Sequence, residues 1–489
     1  MPIRTAPVSN LIEGVYSYAM RLRGYKVHGL FCKQFLSKCE TINNSNRNII
    51  NCSICNHEQD LFSKTFCVEK HTYAENLSLE NINNIDKIVS TTNVEKLFSL
   101  VYDEIFLGHH IKSAVLRYLM TNEVDFKINE RIIREFAYST LSSYQSTKNL
   151  VQKIKPKFVL SSHGIYSTWG GALEACKSLN IPVIVWGRGY ISGNLIVSYN
   201  ESYAYECINE SNSHWENIQL SESNKSKLKN YFYDKQNPNS KMDYINYYQG
   251  IDSLNKDFLS YLNIDKNKAI FGLFPNIPWD GTTFAATEGF PDMKIFIQST
   301  IEWFSDNKDN ILIIRAHPAE RFNTNQETTK DLVLSICKNL PDNIIFINAE
   351  DNISSYDIAN ISDYCLVYAS SISLELAYLK KPVIQTGVFN TSNKGFVFEA
   401  KNVEEYKILL NKASKKELIM TDDMKQRVEK YAYHWIYKRH IPENTYEHKA
   451  LTFTKYNFNS SMELAPGKNK VVDWFIDRCE DGKPFIWND

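Results

Sequence analysis

The stretch Ile311-Leu-Ile-Ile-Arg-Ala-His-Pro-Ala-Glu320 runs an apolar strand pattern straight into Arg315, His317 and Glu320. Polar groups at the carboxyl end of a strand can grip a phosphate and its sugar, and Pro318 fixes φ and halts the strand so that His317 stands at its edge. The same letters also fit a polar loop in which Glu320 caps a helix. A second run, Tyr368-Ala-Ser-Ser-Ile-Ser-Leu-Glu375, sets Ser370 and Ser371 at a helix start, where unpaired N–H groups and the helix dipole favour an anion. Two hydroxyls there are also ordinary N-caps. Glu375, four residues beyond Ser371, faces the same side one turn on and can hold a ribose hydroxyl pair.

A third group lies in the N-terminal half: Leu160-Ser-Ser-His-Gly164, Trp169-Gly-Gly171, Glu174 and Trp186-Gly-Arg-Gly-Tyr190. His163 ends a strand and is the first candidate for the base that would take a proton from an acceptor; Asp280, after Trp279, is the second. The glycines suit close approach of a ligand to the backbone, or simply turns. Finally, Cys32, Cys39, Cys52 and Cys55 have the spacing C-x6-C-x12-C-x2-C. Four thiolates fit tetrahedral zinc stapling a segment with little core of its own, with His57, Cys67 and His71 as substitutes in the ligand set; reduced free cysteines are the alternative.

These groups need a frame that presents strand ends. Strand patterns at Phe158–Ser161 and Ile181–Trp186 alternate with helical ones, as do Ala269–Phe274, Ile311–Arg315, Ile344–Ile347, Tyr364–Tyr368 and Val383–Gln385, with helices near 292–304, 326–339, 372–380 and 402–413. Alternation of this kind implies parallel sheets, whose ligands sit at the carboxyl ends of the strands. A polar stretch from about 209 to 256 suggests a boundary near 255. The expected organisation is an N-terminal Rossmann-like domain over 1–255 with an insertion at about 40–95, a second Rossmann-like domain over 256–423, and a helical tail over 424–489 packing back across both. The aromatic and basic run Tyr431–His440 in that tail suits interdomain packing or an anionic membrane surface.

With 489 residues the chain is too long for one core, and 43% hydrophobic and 23% charged residues exclude disorder. The 55 Lys+Arg against 56 Asp+Glu leave a net charge of −1, so no global field holds a polyanion and nucleic acid is not an expected partner. No run approaches the length of a membrane span, and the N-terminus lacks a signal-peptide core. The expectation is a soluble cytoplasmic protein, peripheral at the cytoplasmic face of the membrane if its acceptor is lipid-linked. Ten cysteines, five of them between Cys32 and Cys67, speak for metal or local structure over a secreted disulfide framework.

Phe274-Pro-Asn-Ile-Pro-Trp-Asp280, the Arg-x-His-Pro-x-Glu of 315–320, Ser354-Ser-Tyr-Asp357, Ala369-Ser-Ser371, Glu375, Lys381-Pro-Val383, Gly387 and Lys394-Gly-Phe396 together resemble the capsule polysaccharide biosynthesis family, itself similar to bacterial GT-B glycosyltransferases of the Kdo-transferase kind. The resemblance covers roughly 268–415 well and 163–170 more loosely. It implies an α/β, GT-B-like fold of two facing Rossmann-like domains, with His317 and the Ser370/Ser371 helix start on phosphate and Glu375 on the nucleoside. The expected activity is transfer of a sugar from a nucleotide donor, CMP-linked ulosonic acid or UDP/GDP-sugar, to a surface polysaccharide or lipid-linked glycan. No cofactor is required for that chemistry. CDP-polyol phosphotransferases share such motifs, and a zinc-stabilised scaffold without catalysis is a third possibility; a membrane surface or biosynthetic complex would be the partner.

Overall fold

In the computed structural model, residues 7–40, 50–237, 240, 246–247, 264–265, 267–277, 279, 290, 292–322, 326–449 and 452–488 are described. Contacts divide the chain into two units. The first comprises residues 1–119, 123–206 and 439–489, and the second 120–122 and 207–438. The divisions therefore fall at 206 and 438, where the sequence suggested 255 and 423; residue 255 itself lies outside the described residues.

The first unit begins with α1 (Pro7–Leu22), β1 (His28–Phe31), α2 (Ile50–Thr65), β2 (Glu69–Thr72) and α3 (Leu79–Thr91). It continues with α4 (Gly108–Leu119), α5 (Glu130–Ile154), β3 (Val159–Ser162), α6 (Gly171–Ser178), β4 (Val183–Arg188) and β5 (Asn194–Tyr199). Strands β1 and β2 pair in parallel, so the segment around 40–95 that was expected to be an aperiodic insertion supplies two helices and the partner of β1. Its few apolar residues suffice because Phe62 and Val68 pack directly on Phe31. In β4, Val183 and Val185 pack with Val151, Leu173 and Cys176, while Ile184 and Trp186 pack with Ile12, Tyr16 and Phe475. That two-residue alternation buries both faces of the strand.

The second unit holds α7 (Glu222–Lys235), β6 (Ala269–Phe274), α8 (Met293–Asp306), β7 (Asn310–Arg315), α9 (Thr329–Ile336), β8 (Ile344–Ile347), α10 (Ser355–Ile361) and β9 (Tyr364–Val367). Then come α11 (Ile372–Tyr378), β10 (Val383–Gln385), β11 (Phe398–Glu399), α12 (Val403–Ser414) and α13 (Asp422–Tyr437). The six strands form one sheet, ordered β8-β7-β6-β9-β10-β11, and every pairing is parallel. Every residue of β6 and β7 is buried, as central parallel strands covered on both faces require. Phe271, Phe296, Leu312, Leu366, Tyr368 and Tyr406 lie in its core.

The polar stretch beginning at 209, read from the sequence as a linker, contains α7, which packs through Leu228, Tyr231 and Phe232; the Phe232 ring stacks 3.9 Å from Tyr378. Tyr431, Tyr433, His434 and Trp435 of α13 are buried, and the Tyr431 hydroxyl donates to the Asn390 carbonyl at 2.6 Å. Most aromatic side chains of this helix are thus committed to packing. The chain then returns to the first unit with β12 (Ile441–Pro442) and α14 (Lys470–Asp481). Strand β12 completes a four-stranded sheet β12-β5-β4-β3, in which β3 and β4 are parallel but β4/β5 and β5/β12 are antiparallel. This sheet is mixed, against the expected all-parallel half, because Gly193 turns the chain directly back into β5 without a crossover helix. Among the described residues no helix is long and apolar enough to cross a membrane.

Candidate functional site

Numbered within the second unit, the sheet order is 3-2-1-4-5-6, and the direction of winding reverses between β6 and β9. In such sheets the crevice outside the carboxyl ends of the strands at the reversal is where ligands bind. The segments leaving β6, β7, β9 and β10 carry, in turn, Asn276, Arg315 with His317, Ser370 with Ser371, and Thr386 to Lys394.

Asn276 is buried beside Ala369: its amide nitrogen donates to the Ala369 carbonyl, and its Oδ1 accepts from the Ala369 N–H at 3.3 Å. One side chain therefore ties the β6 exit to the β9 exit. Arg315 is 1% exposed; its guanidinium donates to the carbonyls of Asn348 and, at 3.5 Å, Asp351, both in the loop after β8. Its charge thus sits beneath the strand ends and not out in solvent. Two residues on, the Ala319 N–H donates to His317 Nδ1 at 3.1 Å, which leaves the ring proton on Nε2. Burial first and the Arg315 charge second push the His317 pKa down to about 4, so the ring is a neutral donor at physiological pH.

Glu320 has the helix-capping role that the sequence left open. It is buried, accepts from the Thr329 N–H at 3.1 Å and from the Thr329 hydroxyl at 2.5 Å, and so fastens the first residue of α9. Burial raises its pKa to about 7 despite those bonds. Ser371 precedes α11 in helical conformation, and its side chain makes no capping bond. Ser373 supplies the local bond instead, donating to the Ser370 carbonyl at 2.7 Å. Glu375 is buried and accepts from the Tyr356 hydroxyl, while Lys235 Nζ lies 3.3 Å from its Oε1. The ribose candidate is consequently also the anchor of α7.

After β10, the side chain of Gln385 donates to the Gly387 carbonyl and, at 2.8 Å, to Ser392, and accepts from the Thr391 hydroxyl at 2.6 Å. Beside this closed network, Asn390 is 2% and Thr386 3% exposed. Among the described residues, both polar atoms of the Asn390 side chain and the Thr386 hydroxyl have no hydrogen-bond partner. Buried polar groups in folded proteins are usually hydrogen-bonded, to protein or to water. Asn276, Lys235, Thr386 and Asn390 escaped the sequence reading. Asn276, Thr386 and Asn390 carried a usable signal, since each stands within six residues of a strand's carboxyl end; Lys235, at the end of a polar helix, carried none.

In the first unit, His163 follows β3 with a left-handed backbone, φ +61, and Gly164 follows at +72. Its N–H donates to the Trp186 carbonyl at 2.9 Å, the Ser202 hydroxyl donates to its carbonyl at 2.7 Å, and its ring lies 4.5 Å from that of Trp169. The backbone is thereby fixed at both ends of the residue. Packing requires two of the nearby glycines: a Cβ on Gly170 would meet the His110 ring at 2.0 Å, and one on Gly171 the Thr140 carbonyl at 2.6 Å. Glu174 is held near His110 and Lys177; against its burial, the His110 contact first and the Lys177 charge second bring its pKa down to about 2. Asp280 lies outside the described residues.

Cys32, Cys39, Cys52 and Cys55 are free thiols, with Gln59 donating to Cys55 Sγ at 3.2 Å. Among the described residues they do not supply three ligand atoms to one point; that arrangement is found at His28, Glu69 and His71.

The second unit is therefore a doubly wound parallel α/β domain with polar side chains at its switch point. No family model matches the chain, and no curated protein matches it. Among solved structures it is similar to a Thermosulfurimonas dismutans KpsC beta Kdo 2,4 transferase, at 12% identity and a TM-score of 0.38, covering 56% of this chain and 79% of that one. It is also similar to a Neisseria meningitidis UDP-GlcNAc 2-epimerase bound to UDP-GlcNAc, at 10% identity and a TM-score of 0.28, over 86% and 95%. The S. aureus MnaA structure with UDP stands at 12% identity and 0.28, over 61% and 79%. Likenesses at these values carry no argument about the chemistry of this chain.

Proposed function

We propose that this chain is a glycosyltransferase whose second unit binds a nucleotide-activated sugar, a CMP-linked ulosonic acid or a UDP/GDP-sugar, for transfer to a surface polysaccharide or lipid-linked glycan at the cytoplasmic face of the membrane. The supporting observation is the placement of His317, Ser370, Ser371, Thr386 and Asn390 beyond the carboxyl ends of strands of one parallel sheet, with the Asn390 and Thr386 side chains buried and, among the described residues, unpartnered.

As the glycosidic bond breaks, negative charge grows on the leaving phosphate. Donors fixed in advance stabilise that charge at little reorganisation cost. His317 Nε2–H, the Ser370 and Ser371 hydroxyls and the first amides of α11 are assigned that role, with the Arg315 charge beneath them. Glu375, oriented by Lys235 and Tyr356, is assigned the ribose, and Thr386 and Asn390 the remaining polar edge of the nucleotide. Glu320 positions the loop through α9. On the acceptor side His163 is the first assignment for the base and Asp280 the second. Incubating the chain with candidate donors and acceptor and weighing the product tests this reading: a mass gain of one sugar without phosphate is expected, and a gain that includes phosphate refutes it in favour of polyol-phosphate transfer. Wild-type turnover by a folded His317→Ala protein would equally overturn the site.

A further inference from the structure

The cysteine-rich segment is bounded by the two short strands β1 and β2. His28 opens β1, Glu69 opens β2 directly opposite it, and His71 stands two residues further along β2. Side chains two apart leave a strand on the same face, so all three stand together. His28 Nδ1 lies 3.0 Å from His71 Nε2, and Glu69 Oε1 lies 3.7 Å from each of those nitrogens. Two imidazole nitrogens at that separation share one proton at most, and the carboxylate oxygen is beyond hydrogen-bond reach of both. Three lone-pair atoms thus converge without enough protons between them. A point equidistant from the three lies about 2.0 Å from each, the bond length of zinc to imidazole nitrogen and carboxylate oxygen.

We propose that His28, Glu69 and His71 form a site for a divalent cation of the zinc type, with water at the fourth position, which clips β1 to β2. Imidazole-rich donor sets suit zinc over calcium or magnesium. The histidine side chains are 16% and 14% exposed and that of Glu69 44%, so an ion can enter from solvent and retain one water. Lys26 holds the other carboxylate oxygen of Glu69 at 2.9 Å and is itself 74% exposed, which leaves Oε1 turned toward the histidines. The site is independent of the cysteines and of the sugar-nucleotide reading.

The test is titration of the full chain, stripped with chelator, with zinc chloride alone by calorimetry, and with cobalt(II) followed in the visible. One equivalent is expected to bind, with tetrahedral d–d bands, no thiolate charge-transfer band, and a raised melting temperature. His28→Ala and His71→Ala should each abolish this, and Glu69→Gln, at an exposed position that spares the strand pair, should weaken it. A Cys32→Ser/Cys52→Ser/Cys55→Ser protein should bind as wild type does. Absence of binding to the wild-type chain, unchanged binding by folded histidine and Glu69 variants, or thiolate bands lost in the cysteine variant would each overturn the proposal.

Discussion

Asn276 offers a sharp perturbation, because its side chain ties together the exits of β6 and β9 where the winding of the sheet reverses. Ala369, its partner, is fully buried, so water cannot replace the lost bonds. Asn276→Ala leaves one N–H and one carbonyl without partners. At about 1–3 kcal/mol for each buried group, discounted for the 3.3 Å bond, the expected loss is about 2–4 kcal/mol. Asn276→Asp keeps the acceptor for the Ala369 N–H but sets a carboxylate against the Ala369 carbonyl, and should cost at least as much. Urea unfolding measures the stability, and hydrogen exchange of a peptide spanning the Ala369 amide measures the local effect. Exchange there should rise in both variants, while amides of β3 and β4 in the first unit stay unchanged. A folded Asn276→Ala protein within about 0.5 kcal/mol of wild type, with the Ala369 amide still protected, would refute the reasoning.

Lys235→Met takes the cation away from the buried Glu375 carboxylate, at a cost of about 3 kcal/mol; adding Glu375→Gln should recover most of it in urea unfolding, and strict additivity of the two would contradict the pairing. Glu320 has a native pKa near 7, above its unfolded value, so the folded state holds the extra proton and stability falls as pH rises through that window, by about 3 kcal/mol at most. Glu320→Gln should flatten that difference between pH 4.5 and 7.5, measured as wild type minus variant; an unchanged slope would count against it. His317 is neutral above about pH 4, so affinity for a nucleotide sugar, whose esterified phosphate or diphosphate does not titrate there, should show no step near pH 6.5. Calorimetry at pH 5.5 and 8 checks this, and a drop in affinity across that interval would mean a charged imidazole.

The second unit was readable because its central strands are buried on both faces: β6, β7 and β10 follow the apolar runs closely, as does the half-buried edge strand β8, and the parallel sheet follows from the helices between them. Strand β11 was not, since two residues, Phe398 and Glu399, leave no periodicity to read. In the first unit, β5 is as apolar as a parallel strand, and its antiparallel pairing depends on a turn at Gly193 and on β12, which arrives from more than 200 residues away. Local pattern cannot report such a partner. At the site, Arg315, His317, Ser370 and Ser371 were legible as strand-end polar groups. The inward commitment of Arg315 was not, because it depends on Asn348 from another segment, whereas the capping role of Glu320 was one of the two readings its position allowed. The cysteine spacing drew the metal reading toward thiolates, whereas the converging atoms come from His28, Glu69 and His71, whose meeting requires the β1/β2 register.

The central claim is that the carboxyl edge of the second unit's sheet is a nucleotide site. Calorimetric titration of the whole chain with CMP, CDP, UDP and GDP, repeated on a Ser371→Ala/Asn390→Ala protein of unchanged melting temperature, tests it most directly. One nucleotide of the four should bind one to one and lose affinity in the variant; no heat from any of the four, or equal affinity in the variant, would contradict the account.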